Sequence, residues 1–135
     1  MTGEGAIRPV TRGKVAFDSV RRMALALPDV EESTMYGAPA FRIRGHMFAC
    51  QPTHRSAEPN SLVVIVGFDR RDELLGAEPE TYYTKEHYQN YPSVLVRLSR
   101  VHPDALRDLL RIAYDVAAAK PKKKSTPRRR RPVKK

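Results

Sequence analysis

The chain has 135 residues, of which 41% are hydrophobic, and a formal net charge of +10 at neutral pH. This length allows one domain, and the composition is typical of globular proteins rather than disordered ones. The single cysteine, Cys50, excludes an internal disulfide and suits a reducing compartment. The sequence contains neither a membrane-spanning apolar run nor a signal peptide, so we expect a cytoplasmic protein without a membrane partner.

The excess positive charge lies at the C-terminal end of the chain. Residues 120–135 hold ten of the 25 cationic residues and no acidic residue. Residues 1–119 therefore carry 15 basic and 15 acidic side chains, a formal net charge of zero. The ten cationic residues are Lys120, Lys122, Lys123, Lys124, Arg128, Arg129, Arg130, Arg131, Lys134 and Lys135.

Three regions follow from this distribution. Residues 1–14 contain three glycines and no hydrophobic periodicity, and we expect a flexible leader. Residues 15–119 carry the periodic apolar patterns of a folded domain. Residues 120–135 combine like charges with prolines and cannot bury apolar area, which predicts a disordered Lys/Arg/Pro-rich tail.

The first elements of the domain are a helix and a turn. Asp18 or Ser19 can cap a helix that ends at Leu27, because Pro28 follows it. Its apolar residues recur at helical spacing. The polar segment from Asp29 to Thr34 then predicts a turn.

Strand patterns occupy the middle of the chain. Residues 41–44 alternate between apolar side chains, which we expect to point inward, and arginines, which we expect to point outward. Gly45-His46 predicts a tight turn into a second strand, Met47–Cys50. Leu62–Val66 is apolar at every position, which is typical of a central strand covered on both faces.

The remaining elements are two helices separated by a strand. A short helix is predicted over Arg70–Leu75, and Glu78-Pro79-Glu80 predicts a further helical turn. Val94–Val101 reads as the last strand, and Pro103 suits the first position of a closing helix that extends to about Ala119. The buried stripe of that helix is predicted to be Leu106, Leu109, Leu110, Ala113 and Val116.

The element order is α-β-β-β-α-β-α. This order predicts an α+β fold, with an antiparallel sheet of about four to five strands and helices packed on one side.

Residues able to support catalysis or bind a metal are sparse. His46, Cys50 and His54 recur every four residues, but on a strand residues four apart lie roughly 13 Å from each other, too far to share one ion. Cys50 is therefore expected to be a small core residue. The chain has no nucleophile elbow and no phosphate-binding loop. We predict no enzyme activity, no catalytic residues, no metal and no cofactor.

One segment of the domain is unusually aromatic. Residues 82–91 contain four of the ten aromatic residues together with His87. The rings can cover the core with their hydroxyls in water, or they can form a platform for a base or a flat ligand. A pocket near Tyr36, His87, Tyr88 and Tyr91 is the corresponding site prediction.

Arginines supply a second candidate surface. Arg42, Arg44 and Arg97 are predicted to share the exposed side of the sheet. They can bind phosphates there or form a solvated, ion-paired face.

The tail has the clearest chemistry. A Lys/Arg polycation binds nucleic acid by releasing counterions, without reading sequence. Binding to anionic lipid would need an apolar face or a lipid anchor, which the tail lacks. In a eukaryote such a segment could also serve in nuclear import.

Three segments together resemble the MmcQ/YjbR family of small bacterial proteins. They are Leu-Ala-Leu-Pro-Asp-Val-Glu-Glu at 25–32, Tyr-Gly-Ala-Pro-Ala-Phe-Arg-Ile-Arg-Gly-His-Met-Phe-Ala at 36–49, and His87-Tyr88 with Tyr-Pro-Ser-Val-Leu-Val-Arg-Leu at 91–98. The resemblance covers roughly residues 15–119. It implies a sheet with helices on one side, similar to frataxin-like and secretion-chaperone-like domains, and a DNA-binding role without assigned catalytic residues. Family members often have a lysine where this chain has His46, and the tail lies outside the shared region.

From these observations we expect a non-enzymatic protein that binds DNA through its tail, independently of sequence. DNA is favoured over RNA as the partner, and a DNA-binding protein of this kind would be associated with the nucleoid. The alternative is a module that binds a small molecule or a protein in the Tyr/His pocket and uses the tail only for localisation. An enzyme that uses this pocket is a third, weaker class. The oligomeric state and any sequence preference stay open.

Overall fold

Three α-helices and six strands make up residues 15–121, the part of the chain that the computed structural model describes. The helices are α1 (Phe17–Leu25), α2 (Phe68–Ala77) and α3 (Pro103–Ala118), and a short 3-10 helix spans Glu86–Tyr88. The strands are β1 (Glu31–Met35), β2 (Ala38–Ile43), β3 (His46–Cys50), β4 (Ser61–Ile65), β5 (Tyr82–Tyr83) and β6 (Ser93–Arg97). They form one antiparallel sheet in the order β1-β2-β3-β4-β6-β5, which confirms the predicted α+β class.

All three helices pack on one face of the sheet. Val20 and Ala24 of α1 and five leucine and alanine positions of α3 are buried in a core with the sheet residues of this face, and Leu74 and Leu75 of α2 pack against its edge. Burial of this apolar surface is the main force that holds the helices on the sheet. The sheet residues of this core include Phe41, Ile43, Phe48, Leu62, Val64, Val94 and Val96.

The opposite face of the sheet has a second, smaller apolar cluster. Within residues 15–121, the connection between β3 and β4 and the 3-10 helix cover this cluster, and no α-helix does. In β4, Leu62 and Val64 belong to the helix-covered core, whereas Val63 belongs to this second cluster. The prediction of a central strand covered on both faces is therefore confirmed. The buried members of the second cluster are Ala40, Cys50, Val63, Tyr83, Tyr88 and Leu95.

The turn predicted over Asp29–Thr34 is wrong, because Glu31–Met35 forms the edge strand β1. This strand is polar since an edge strand with little burial needs no apolar face. Pairing with β2 and an ion pair between Glu32 and Arg21 of α1 (2.9 Å) hold it in place. The short strand β5, which pairs with β6, was not predicted either, and the sheet has six strands rather than the predicted four to five.

The turn between β2 and β3 is centred on Arg44-Gly45 rather than on Gly45-His46. Both central residues have a positive φ, 56° and 84°, as two-residue hairpin turns of type I′ require. Arg44 therefore lies in the turn and not on the face of the strand. The β1–β2 hairpin is built in the same way, with φ of 54° at Tyr36 and 83° at Gly37.

Several predicted boundaries shift by a few residues. β6 ends at Arg97, and a turn rather than a strand leads into α3. In α3 the last buried position is Ala117, whereas Val116 is 37% exposed. None of the helices within residues 15–121 is both long enough and apolar enough to cross a membrane.

Candidate functional site

A cleft of about 590 Å³ opens on the face of the sheet opposite to the three helices of residues 15–121. Alternate residues of a strand point to the same face, and an irregularity in the pairing of β3 with β2 shifts this alternation after Met47. The floor side chains come from three neighbouring strands. These are Met47 and Cys50 of β3, Val63 and Ile65 of β4, and Ser93 of β6.

Two loops form the walls of this cleft. The first follows β3 and contributes Gln51, Pro52, Thr53 and His54, and the second runs from the 3-10 helix into β6. Met35 and Tyr36 close one end at the β1–β2 turn. The second wall contributes His87, Tyr88, Tyr91 and Pro92.

The two walls meet through stacked imidazole rings. The rings of His54 and His87 lie 3.7 Å apart with an interplanar angle of 9°. Tyr88 packs edge-on against both of them. The backbone N–H of Ser56 donates to His54 Nδ1 (3.1 Å), so the neutral ring carries its hydrogen on Nε2.

Tyr83 fixes the loop after β3, the first wall of the cleft, through its hydroxyl group. Its hydroxyl accepts a hydrogen bond from the backbone N–H of Glu58 (2.8 Å) and lies 2.6 Å from Ser61 Oγ. The Glu58 carboxylate accepts two hydrogen bonds from Arg97, at 2.8 and 2.7 Å. The loop after β3 is thus tied to β4, β5 and β6, and the position of His54 follows from these ties.

Arg71 of α2 holds the second wall. Its guanidinium donates to the carbonyl oxygens of Gln89 (2.7 Å) and Tyr91 (3.1 Å). The carbonyl of Pro92 accepts hydrogen bonds from two consecutive backbone N–H groups at the end of β4. Tyr91 is therefore presented at the rim on a fixed backbone, with 56% of its surface exposed.

Burial controls the ionisation of two groups in the cleft. Burial raises the pKa of the Cys50 thiol to about 11, partly opposed by the positive charge of Arg42. Burial also raises the pKa of Tyr88, against the effect of a backbone hydrogen bond from His54. Both groups are neutral at physiological pH, so neither Cys50 in the floor nor Tyr88 in the second wall adds a charge to the cleft.

The four residues of the predicted pocket all line this one cleft: Tyr36, His87, Tyr88 and Tyr91. The sequence did not point to His54 as their partner, since it lies 33 positions before His87 and no local pattern links the two. Of the other aromatic residues in this region, Tyr82 and Tyr83 are buried, and the Tyr83 hydroxyl holds the loop after β3. Ligand binding by the cleft stays a prediction.

The three predicted phosphate-binding arginines do not form one patch. Arg42 lies on β2 and donates to Ser33 (2.9 Å), Arg44 lies in the hairpin turn, and Arg97 lies on β6. Strands β3 and β4 separate Arg42 from Arg97. Arg97 also donates to the carbonyls of Pro79 and Glu80, so four hydrogen bonds occupy its guanidinium. For Arg97 this geometry favours the ion-paired alternative.

His46, Cys50 and His54 do not converge. Cys50 and His54 line the cleft, whereas His46 Nε2 donates to the carbonyl of Pro121 (2.7 Å). Within residues 15–121 no three His, Cys, Asp or Glu side chains are grouped so that they could hold a metal ion.

The basic tail begins beside the β2–β3 hairpin. Lys120 is exposed at the end of α3, and the contact between His46 and Pro121 holds the chain against β3. The other nine predicted nucleic-acid-binding residues of the tail lie outside the described residues, as does the predicted leader over residues 1–14. They are Lys122, Lys123, Lys124, Arg128, Arg129, Arg130, Arg131, Lys134 and Lys135.

Comparison with known proteins agrees with this architecture. The chain is 37% identical to uncharacterized proteins of Mycobacterium tuberculosis (Rv2570) and Mycobacterium bovis (Mb2600), in alignments that cover 77% of this chain and 89% of each relative. The crystal structure of Deinococcus radiodurans protein DR2400 matches the fold with a TM-score of 0.66 at 24% identity, over 80% of this chain and 82% of that one. The sequence model of the YjbR family matches residues 25–116. The resemblance seen in the sequence is thereby confirmed, and the chain belongs to the YjbR family.

Proposed function

We propose that this protein binds nucleic acid without catalysis, with DNA as the favoured form, and that the C-terminal tail supplies the phosphate contacts. The observation that carries the proposal is the separation of charge along the chain. Residues 15–119 hold 12 basic and 14 acidic side chains, whereas residues 120–135 hold ten basic and none acidic. A segment of that density attracts phosphates and releases their counterions.

The ion pairs of the folded domain support the assignment of the phosphate contacts to the tail. Arg21, Arg97 and Arg111 each form an ion pair with a carboxylate in the described domain. Such pairs neutralise the field of the arginines at the surface. The cations of the tail have no acidic residue near them in sequence. Long-range attraction to a polyanion should therefore come mainly from the tail.

The test is a salt series on the whole protein with duplex DNA of unrelated sequences. In one variant the nine cations of residues 122–135 are replaced by Gln, which keeps the length of the tail. In the control, Lys122, Lys123 and Lys124 are replaced by Arg, which keeps the charge. If five or six cations engage phosphates, the slope of log affinity against log salt is about −5 for the wild type and the Arg control.

The Gln variant should lose most of its affinity and most of that slope, whatever the sequence of the duplex. Equal affinity of the Gln variant and the wild type at moderate salt would overturn the proposal, since the folded surface would then bind the DNA. Replacing Arg42 and Arg44 by Gln tests the domain separately. The slope should become shallower by roughly 0.9 for each phosphate that these arginines bind in the wild type.

The cleft favours a second function, the binding of a small ligand independently of nucleic acid. Its volume of about 590 Å³ lies within the range of roughly 300–1,000 Å³ that is usual for ligand sites. A rise in the melting temperature of residues 1–121 with a small organic ligand, lost on replacing Tyr91 by Leu, would support this function. No rise with any ligand, while the whole chain binds DNA, would leave the tail as the functional part.

A further inference from the structure

We propose that the cleft receives a single unstacked nucleobase, either from a single strand or from a free nucleoside, while the tail binds the phosphates. The inference rests on the proposed nucleic-acid function and assigns a separate task to the folded domain. It predicts that this protein distinguishes a strand with bases from an equally charged strand without them.

The first argument is the abundance of aromatic rings around the cleft. His54, His87 and Tyr88 form the ring cluster that joins the two walls, and Tyr36 and Tyr91 stand at the rim. Proteins that bind single strands stack successive bases on aromatic side chains, because every base has a π-face. Met35 and Met47 add polarizable side chains that adapt to a flat ring.

The second argument is the charge of the lining. Among residues 15–121, no Asp, Glu, Lys or Arg lines the cleft, and burial keeps the Cys50 thiol of the floor neutral. A nucleobase is likewise uncharged, whereas a phosphate would find no permanent cation in this cleft. Gln51, Thr53 and Ser93 offer amide and hydroxyl groups that can donate and accept, as the edge of a base does.

The third argument is the conformation of Tyr36 at the rim. Tyr36 has a φ of 54° and is 87% exposed, so neither backbone preference nor packing explains an aromatic side chain there. A non-glycine residue in this conformation costs about 1 kcal/mol. Such strain is often retained at binding sites. An exposed ring on a tight turn, at the edge of an apolar cleft, is well placed to cover a bound base.

The fourth argument is the position of the tail. His46 contacts Pro121, and the next residue, Met47, lines the cleft. Successive residues of a strand point to opposite faces of a sheet. The tail therefore starts at the same strand that forms the floor of the cleft. A nucleic-acid strand held by the tail can thus reach the cleft around the end of β3 at the β2–β3 turn.

The experiment compares two ligands of equal length with the full-length protein at fixed salt: single-stranded oligothymidylate and an oligonucleotide of abasic sites. Both carry the same phosphates, so the tail should bind both. We expect oligothymidylate to bind about tenfold more tightly, the effect of roughly one stacked base. Free thymidine should reduce this difference without releasing the abasic strand, which would also establish that the nucleoside itself is a ligand.

Tyr36→Asn and Tyr91→Leu test the cleft, and Leu25→Ala is the control. Leu25 is 42% exposed on α1, on the helix side of the sheet. The two cleft variants should lose the tenfold preference and keep their affinity for the abasic strand, whereas Leu25→Ala should keep both. Asparagine suits the positive φ at position 36, so Tyr36→Asn should fold.

Equal affinity of the wild type for both strands would overturn this inference alone, since abasic binding would still report the tail. Unchanged preference in both cleft variants would also overturn it. Failure of the wild type to bind the abasic strand, with tight binding of oligothymidylate, would instead contradict the phosphate role of the tail.

Discussion

At the scale of single residues, Cys50 lines the cleft, and yet its thiol is protected from reaction with electrophiles. Its side chain is almost fully buried in the floor. Burial disfavours the charged thiolate, which is the reactive form, and raises the pKa of the thiol to about 11. A raised pKa means that the thiolate fraction is small at pH 8 and increases only as the pH approaches that value.

We therefore expect native protein to react slowly with iodoacetamide at pH 8. The rate should increase toward pH 10–11 provided that the domain stays folded, and protein unfolded in urea should react at once. Mass spectrometry of timed samples measures the labelled fraction. Complete labelling of the native protein at the rate of a free cysteine would contradict this protection.

The ion pair between Arg97 and Glu58 fixes the loop after β3, which forms the first wall of the cleft. The pair has two hydrogen bonds, and the Arg97 guanidinium lies 4.3 Å from the centre of the Tyr83 ring. Hydrogen bonds from Arg97 lower the pKa of Glu58 below its usual value of about 4.5. The pair thus stabilises the fold at pH values above about 4.5, and this contribution disappears as the pH falls through the lowered pKa.

Glu58→Gln should reduce the free energy of unfolding by about 1 kcal/mol at pH 7, a modest loss because the Glu58 side chain is 37% exposed. Urea unfolding at pH 7 and at pH 3 measures this. The difference from wild type should shrink at the lower pH, while the exposed control Glu86→Gln should show little difference at either. A difference that grows on acidification would contradict the assigned sign.

At the scale of elements, both tight hairpins place a large residue where Asn or Gly is preferred. Tyr36 and Arg44 are the first central residues of their type I′ turns. Their positive φ is tolerated because the turn geometry and the paired strands determine it. The hairpins therefore form in spite of the local preference of these residues.

Tyr36→Asn and Arg44→Asn should each raise the free energy of unfolding by about 0.5–1 kcal/mol, because Asn adopts positive φ more readily. Urea unfolding of the two variants and of wild type checks this. A loss of stability in either variant would mean that the replaced side chain makes stabilising contacts that outweigh the strain. Higher stability together with lost base preference in Tyr36→Asn would mark that ring as functional.

At the scale of the whole molecule, the buried core and the excess positive charge lie in different segments of the chain. The buried stripe of α3 ends at Ala117, and the last contact of the described chain with the domain is that of Pro121 with His46. Nine of the 25 cations lie beyond Pro121, so residues 1–121 carry 16 basic and 15 acidic side chains.

Truncation after Pro121 should change the free energy of unfolding by less than about 0.5 kcal/mol, since no core residue is removed. Its affinity for duplex DNA should fall sharply, because a formal net charge of +1 remains. Unfolding curves and a salt-dependent gel shift measure the two effects. A large loss of stability would show that the tail packs on the domain.

Sequence periodicity anticipated the elements that bury an apolar stripe. The buried leucines of α3, the inward Phe41 and Ile43, and the two-sided β4 were all predicted. Elements without such a stripe were missed or misplaced. The polar strand β1 is held by its pairing with β2 and by the Glu32–Arg21 ion pair, and the two-residue strand β5 by its pairing with β6.

The sequence alone determined the family and the separation of a neutral domain from a basic tail, because both are properties of residues in a row. Its aromatic composition also indicated the region of Tyr88 and Tyr91. Only the tertiary structure paired His54 with His87 and engaged Arg97 with Glu58, 39 positions away. Contacts of this kind depend on which strands become neighbours in the sheet, and local periodicity carries no information about that choice.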